Sequence, residues 1–222
     1  MSDWDEHLAR QAARYEDGGE RLPDEPDARQ RQLTRMGNAA GGAGLALLMA
    51  GRRDEASKWL HRAAERYRES IVGAPSGSWG RPIGAMKALV LAGDREAAEE
   101  AARWSLELGA GEADSPIGQY AAALALLVLG RDQEAVVQAD TIRTHPEFPQ
   151  EVGDALAYIA AEDVIGYTYA IEDVLESFEN RSDYLEDIPV ADTVLVLQAL
   201  ATRRGFTVEL SSRLLPEKSV DA

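Results

Sequence analysis

The chain has no cysteine among its 222 residues, which excludes disulfides and thiolate-held metals. Histidine is almost as scarce: His7, His61 and His145 fall in three separate segments, so a zinc or iron centre would have to rest on carboxylates. No metal site and no cofactor are expected. Long apolar runs are missing too. The longest candidates, 39–50 and 121–129, fall short of the ~18 residues that cross a bilayer. The start, MSDWDEHLARQAARYED, is acidic and amphipathic rather than basic then apolar, unlike a signal peptide, so a cytoplasmic location is expected. Nucleophile elbows, HExxH, P-loops and dinucleotide fingerprints are also absent, and no catalytic residue and no enzyme activity are expected.

Positive charge is in short supply, and lysine most of all. Of 23 basic residues only Lys58, Lys87 and Lys218 are lysine, which leaves 20 arginines against 39 acids and a net charge of −16. Phosphate neutralisation needs clustered Lys and Arg, so neither nucleic acid nor an anionic membrane is an expected partner. With 45% hydrophobic residues the chain has enough apolar material for a core, which separates it from acidic disordered chains. At about 1 M salt the Debye length shrinks to roughly 3 Å and a dense acidic surface stops repelling itself. The composition resembles that of haloarchaeal cytosolic proteins; an acidic mesophile protein is the alternative.

What is present is an internal repeat. GLALLMAGRRDEASKWLHRAAERY, AMKALVLAGDREAAEEAARWSLEL and AALALLVLGRDQEAVVQADTIRTH align on Gly51, Gly93 and Gly130. Alanines stand five residues before each glycine (Ala46, Ala88, Ala125) and five after (Ala56, Ala98, Ala135). The pattern predicts a helical hairpin: glycine takes the left-handed position ending the first helix, and Asp54, Asp94 or Asp132 caps the second. The alanines permit close approach. Interior glycines in GNAAGGAG predict close helix packing as well, since each costs roughly 0.8–1 kcal/mol relative to alanine.

On these residues the chain resembles the TPR superfamily. Gly44, Gly51, Ala56 and Ala63 match four of its contact positions in the first repeat. Met86 and Ala123 replace the first glycine later on, Ser105 and Ile142 replace the last alanine, and Pro146 echoes the terminal proline. The resemblance implies an all-α fold, an antiparallel helix-hairpin right-handed solenoid of about nine or ten helices. A single domain over 1–205 is expected, with a capping helix at 1–17 that places Trp4, Leu8, Ala12 and Tyr15 on one face. Helix pairs follow at 34–72, 78–110, 115–145 and 148–181, then a terminal helix at 188–204 and a tail at 206–222. The fourth pair is degenerate, with Gly166 lying 36 residues after Gly130 but in a turn unlike the other three, and DGGERLPDEPDARQ reads as an exposed linker.

In such stacks the first helix of each hairpin lines the inner, concave face that holds partners. Arg35 and Asn38, Trp79 and Arg81, Gln119 and Tyr120, and Asp154 and Tyr158 are the expected partner-binding residues. Trp79 with Arg81 leads, because Trp and Arg are enriched at interface hot spots; inter-repeat core is the alternative role for Trp79. Carboxylate doublets such as Glu99–Glu100, Glu162–Asp163 and Glu172–Asp173 read as solvated faces. The function expected is a non-enzymatic interaction module or scaffold for a protein or peptide, a second copy forming a homodimer included. An acidic immunity-type or regulatory protein is one form that the resemblance implies. The alternative is a small-molecule binder or unrecognised enzyme, with a pocket where Asp154, Tyr158, Glu162 and Tyr167 converge.

Overall fold

A computed structural model describes residues 3–217. Among these residues the chain is all-helical, with ten α-helices and no strand: α1 (Asp3–Glu20), α2 (Pro26–Met49), α3 (Arg53–Glu69), α4 (Gly80–Ala92), α5 (Arg95–Glu107), α6 (Pro116–Val128), α7 (Asp132–Arg143), α8 (Gln150–Ala160), α9 (Val164–Glu179) and α10 (Asp192–Thr202). Short 3-10 turns lie at Ala110–Glu112 and Leu185–Asp187. Met1, Ser2 and the end of the tail, Lys218 included, lie outside the described residues. The run Val194–Leu197 is helical despite its β-branched residues.

The hairpin turns repeat the same hydrogen bonds. Gly51, Gly93 and Gly130 each sit at a φ near +70°. Their N–H groups donate to the carbonyls of Leu48, Val90 and Leu127, three residues back. This is the left-handed ending that glycine adopts without a Cβ clash. The fourth turn corrects the alignment on Gly166. Glu162 N–H donates to the Ile159 carbonyl at 3.2 Å with φ +54°, so Glu162, not Gly166, stands where the glycines stand. The left-handed turn therefore recurs in the fourth hairpin, with Ala157 five residues before it and Tyr167, in place of the repeat's alanine, five after.

Capping differs from expectation in two turns. Asp94 caps α5 by accepting from Ala97 N–H, and Asp163 caps α9 by accepting from Gly166 N–H. In α3 and α7 the cap positions are Arg52 and Arg131, which make no side-chain cap and instead pair with Glu55 and Glu134 one turn on. Asp54 and Asp132 lie inside the first turn, where they favour the helix through its dipole alone. The supposed linker is also largely helical. Glu25 accepts from Asp27 and Ala28 N–H, and Pro26 presets the first turn, so α2 starts well before residue 34.

Consecutive helices pack as antiparallel neighbours, and α2, α4, α6 and α8 touch one another to form an inner row. Gly37, Gly44 and Gly84 are notches for side chains rather than backbone crossings. A Cβ on Gly37 or Gly84 would stand within 3 Å of the Tyr67 ring, and one on Gly44 within 3 Å of Leu60. Tyr67 is thus clamped between α2 and α4, and its hydroxyl donates to Asn38 Oδ1 at 2.8 Å.

The end of the chain folds back over this row. α10 packs on α4, α8 and α9. Its first residue, Asp192, meets Lys87 of α4, and Arg204 beyond its end donates to the Leu127 carbonyl and to Asp132 at the α6–α7 turn. The segment 180–191 then reaches the other end of the stack: Gln11 Nε2 donates to the Glu186 carbonyl at 2.8 Å, and Arg14 pairs with the Glu186 carboxylate at 2.6 Å. Ile188 is buried beside Gly42. The tail from Phe206 follows α10, with Gln198 donating to the Val208 carbonyl, Ala191 N–H to the Leu214 carbonyl, and Leu214 buried.

Candidate functional site

Where α10 leaves the inner row uncovered, a cleft of about 330 Å³ opens between α2 and α4. Two helix stripes build it. Thr34, Asn38, Gly41 and Leu45 recur at three- and four-residue spacing on α2, and Arg81, Gly84, Ala88 and Leu91 do so on α4. Because α2 and α4 are separated by one antiparallel helix they run in the same direction, so the cleft is polar at the start of both helices and apolar at their ends. Leu60 and Tyr67 of α3 form its back, and Leu185 stands over it from the returning segment. Gly41 matters here as open space: a Cβ built there meets nothing nearer than Ala63 at 4.0 Å.

The cleft's deepest polar feature is an ion pair. Lys87 Nζ lies 2.5 Å from Asp192 Oδ2, with the two side chains 16% and 20% exposed. Lys87 also donates to Thr193 Oγ1 at 3.1 Å. Burial alone pulls the ammonium down, but the Asp192 carboxylate, through its charge and its hydrogen bond, lifts it above the usual lysine range. Burial raises both Tyr67 and Tyr120, keeping the two phenols protonated.

At the polar end Arg81 donates from Nε to Ser70 Oγ at 3.0 Å and from Nη2 to Gln30 Oε1. Both acceptors are neutral. Burial lowers its pKa and no carboxylate offsets that. Among the described residues no acid lies within ion-pairing range of this guanidinium.

The eight expected partner-binding residues scatter. Asn38 and Arg81 share the cleft. Arg35 is exposed on the other side of α2, lining a polar hollow with Arg14, Arg21 and Glu186. Trp79 is half-buried against the start of α6, its Nε1 at the notch left by Gly118. Tyr120 is buried and packs on Phe148 with ring centroids 5.4 Å apart, while Gln119 is half-buried beside it. Asp154 pairs with Arg143 at 2.7 Å, and Tyr158 lies under the same guanidinium.

The pocket expected in the C-terminal third does not assemble from its four residues. Tyr167 is buried with its hydroxyl donating to Gln198 of α10, and Glu162 sits exposed at the turn, so neither joins Asp154 and Tyr158 at Arg143. Sequence reasoning missed Lys87, Asp192, Tyr67 and Leu185. For Lys87 a signal existed: it is one of three lysines in a chain of arginines, on the first helix of its hairpin.

No helix among the described residues is long and apolar enough to cross a membrane. Comparison with protein-family models, with curated proteins and with solved structures finds no match for this chain.

Proposed function

We propose that this chain is a non-catalytic binding protein, a TPR-like right-handed solenoid of helix hairpins, and that the α2–α4 cleft is where it meets its ligand. The observation that carries this reading is the convergence of Asn38, Tyr67 and Arg81 on a cavity of about 330 Å³ whose other walls are mostly apolar, with Thr34 and the Lys87–Asp192 pair the further polar groups. Binding sites have this make-up: an apolar enclosure with a few oriented polar groups. Apart from the Lys87–Asp192 ion pair, whose two charges satisfy each other, the cleft offers apolar surface and neutral hydrogen-bonding groups beside Arg81, and no histidine or serine lines it.

The position of α10 shapes the reading further. A long concave surface suits an extended peptide or a folded partner, but α10 and the segment before it lie on much of that surface. What remains fits a compact group, which favours a small ligand over an extended peptide.

The test is native mass spectrometry of the protein purified from its own cells, beside a Gly41→Leu variant whose side chain fills the cleft. A bound species retained by the parent and missing from the variant is expected. The same species on both, or none on the parent, contradicts the reading. The salt-adapted surface is proposed alongside it: helical circular dichroism should fall when salt drops from molar to dilute, and an unchanged spectrum counts against it.

A further inference from the structure

We propose that the α2–α4 cleft takes a small amphipathic anion, an apolar body of roughly ten heavy atoms bearing one carboxylate, with Arg81 as its counter-charge. The proposal rests on the reading of the cleft as the binding surface and adds the chemical class of what enters.

Many of the chain's arginines pair with carboxylates, as in Arg52–Glu55, Arg68–Glu100 and Arg131–Glu134, and others, such as Arg29 and Arg203, do not. Arg81 is the unpaired arginine that lines the cleft: it is half-buried, bonded to an amide and a hydroxyl, and forms no ion pair among the described residues. A guanidinium withdrawn from water without a counter-charge is unfavourable, and a carboxylate supplies two charge-assisted acceptors for the donors that Ser70 and Gln30 leave free, at Nη1 and the second Nη2 hydrogen. The first turn of α4 adds the positive end of the helix dipole.

Lys87 does not compete for the head group. Its ammonium is already held by Asp192 and Thr193, so the floor of the cleft is electrically closed while the Arg81 end is open. Polarity along the two helices sets the ligand's direction. A carboxylate at Arg81, beside Thr34 and Asn38, leaves the apolar body running along Leu45, Leu60 and Leu91, toward the helix ends. Leu185, 53% exposed on the returning segment, is placed to cover it. At about 30 Å³ per water-sized group, 330 Å³ holds roughly ten such groups.

Octanoate has this size and charge, and octan-1-ol and octylamine keep the body while changing the head. Calorimetric titration of the full chain in molar KCl should show octanoate bound more tightly than either. Arg81→Gln should weaken octanoate about tenfold or more and leave octan-1-ol unchanged, Arg81→Lys should restore part of the loss, and Gly41→Leu should remove both ligands. Octanoate that binds Arg81→Gln as well as the parent overturns the proposal, as does a preference for octylamine or no binding by the parent. If octan-1-ol and octanoate bind equally and both are lost in Gly41→Leu, the anion inference fails while the cleft reading stands. Should Arg81→Gln fail to fold, amide shifts of the parent decide: octanoate should move Arg81, Gly84 and Asn38, and shifts confined to α8 and α9 overturn the proposal.

Discussion

The two ends of the inner helix row have opposite fates. Between α2 and α4 the row is notched by glycine, walled by leucine and left open at a cleft. Between α4 and α8 the same kind of surface is covered by α10, with Asp192 fixed on Lys87 and Arg204 fixed on the α6–α7 turn. The hairpins are alike at both ends, so local pattern does not decide which part of a repeat surface is free. The chain's own return segment does.

The strongest way to break this contrast is to release α10. Asp192→Ala leaves Lys87 charged and unpaired in a largely dry setting, and should lower unfolding free energy by about 3 kcal/mol in urea titration. A Lys87→Met, Asp192→Leu double variant should recover most of that loss; failure to recover would mean that the pair does more than hold α10.

The glycines separate notch from cleft at a smaller scale. Gly84→Ala drives a methyl into the Tyr67 ring and should cost about 1–3 kcal/mol, whereas Gly41→Ala, facing open space, should raise stability by about 0.5–1 kcal/mol through helix propensity. Equal effects at the two sites would erase the distinction. Smaller again is the fourth turn: Glu162→Gly relieves a left-handed backbone and should stabilise by about 1 kcal/mol, while Gly93→Ala should destabilise by a similar amount.

The smallest expected effect concerns His61, which bridges the first two hairpins through 3.0 Å contacts with the Ser57 carbonyl and Asp94. Burial pulls its pKa down, but Asp94 and the Ser57 carbonyl outweigh this and leave it raised. A raised folded pKa stabilises fully below the unfolded value near 6.5, and that contribution disappears as pH rises through the folded pKa. Asp94 sets the acid limit, since its lowered pKa makes its own contribution fade as pH falls through that value. The melting-temperature gap between parent and His61→Gln should therefore be wider near pH 6 than near pH 8; a gap constant with pH would show that His61 acts by packing alone.

The helices were legible because their signals are local. The glycine-centred turns at Gly51, Gly93 and Gly130 and the alanine stripes five residues to either side can be read without knowing what packs on them. Glu162 escaped because a left-handed acid carries no sequence signature, and Gly166 four residues on was a better-looking stand-in. The start of α2 was missed because proline and aspartate read equally well as linker and as first turn. Asn38 and Arg81 line the cleft, but the same reading of first-helix positions also gave Arg35, on the other side of α2, and Tyr120, in the core, so it does not separate cleft from core or outer surface. Asp192, Leu185 and the covering by α10 depend on contacts across about a hundred residues of chain, which no periodicity records.

The absence of cysteine allows the central contrast to be measured with one introduced thiol at a time. Gly41→Cys, in the cleft, and Ala201→Cys, on the fully buried face of α10, are compared for their rate of reaction with a neutral maleimide under native conditions. An open cleft beside a docked α10 requires the residue 41 thiol to react promptly and the residue 201 thiol only as the protein unfolds. Equal protection of both thiols, or prompt reaction of both, would contradict the account.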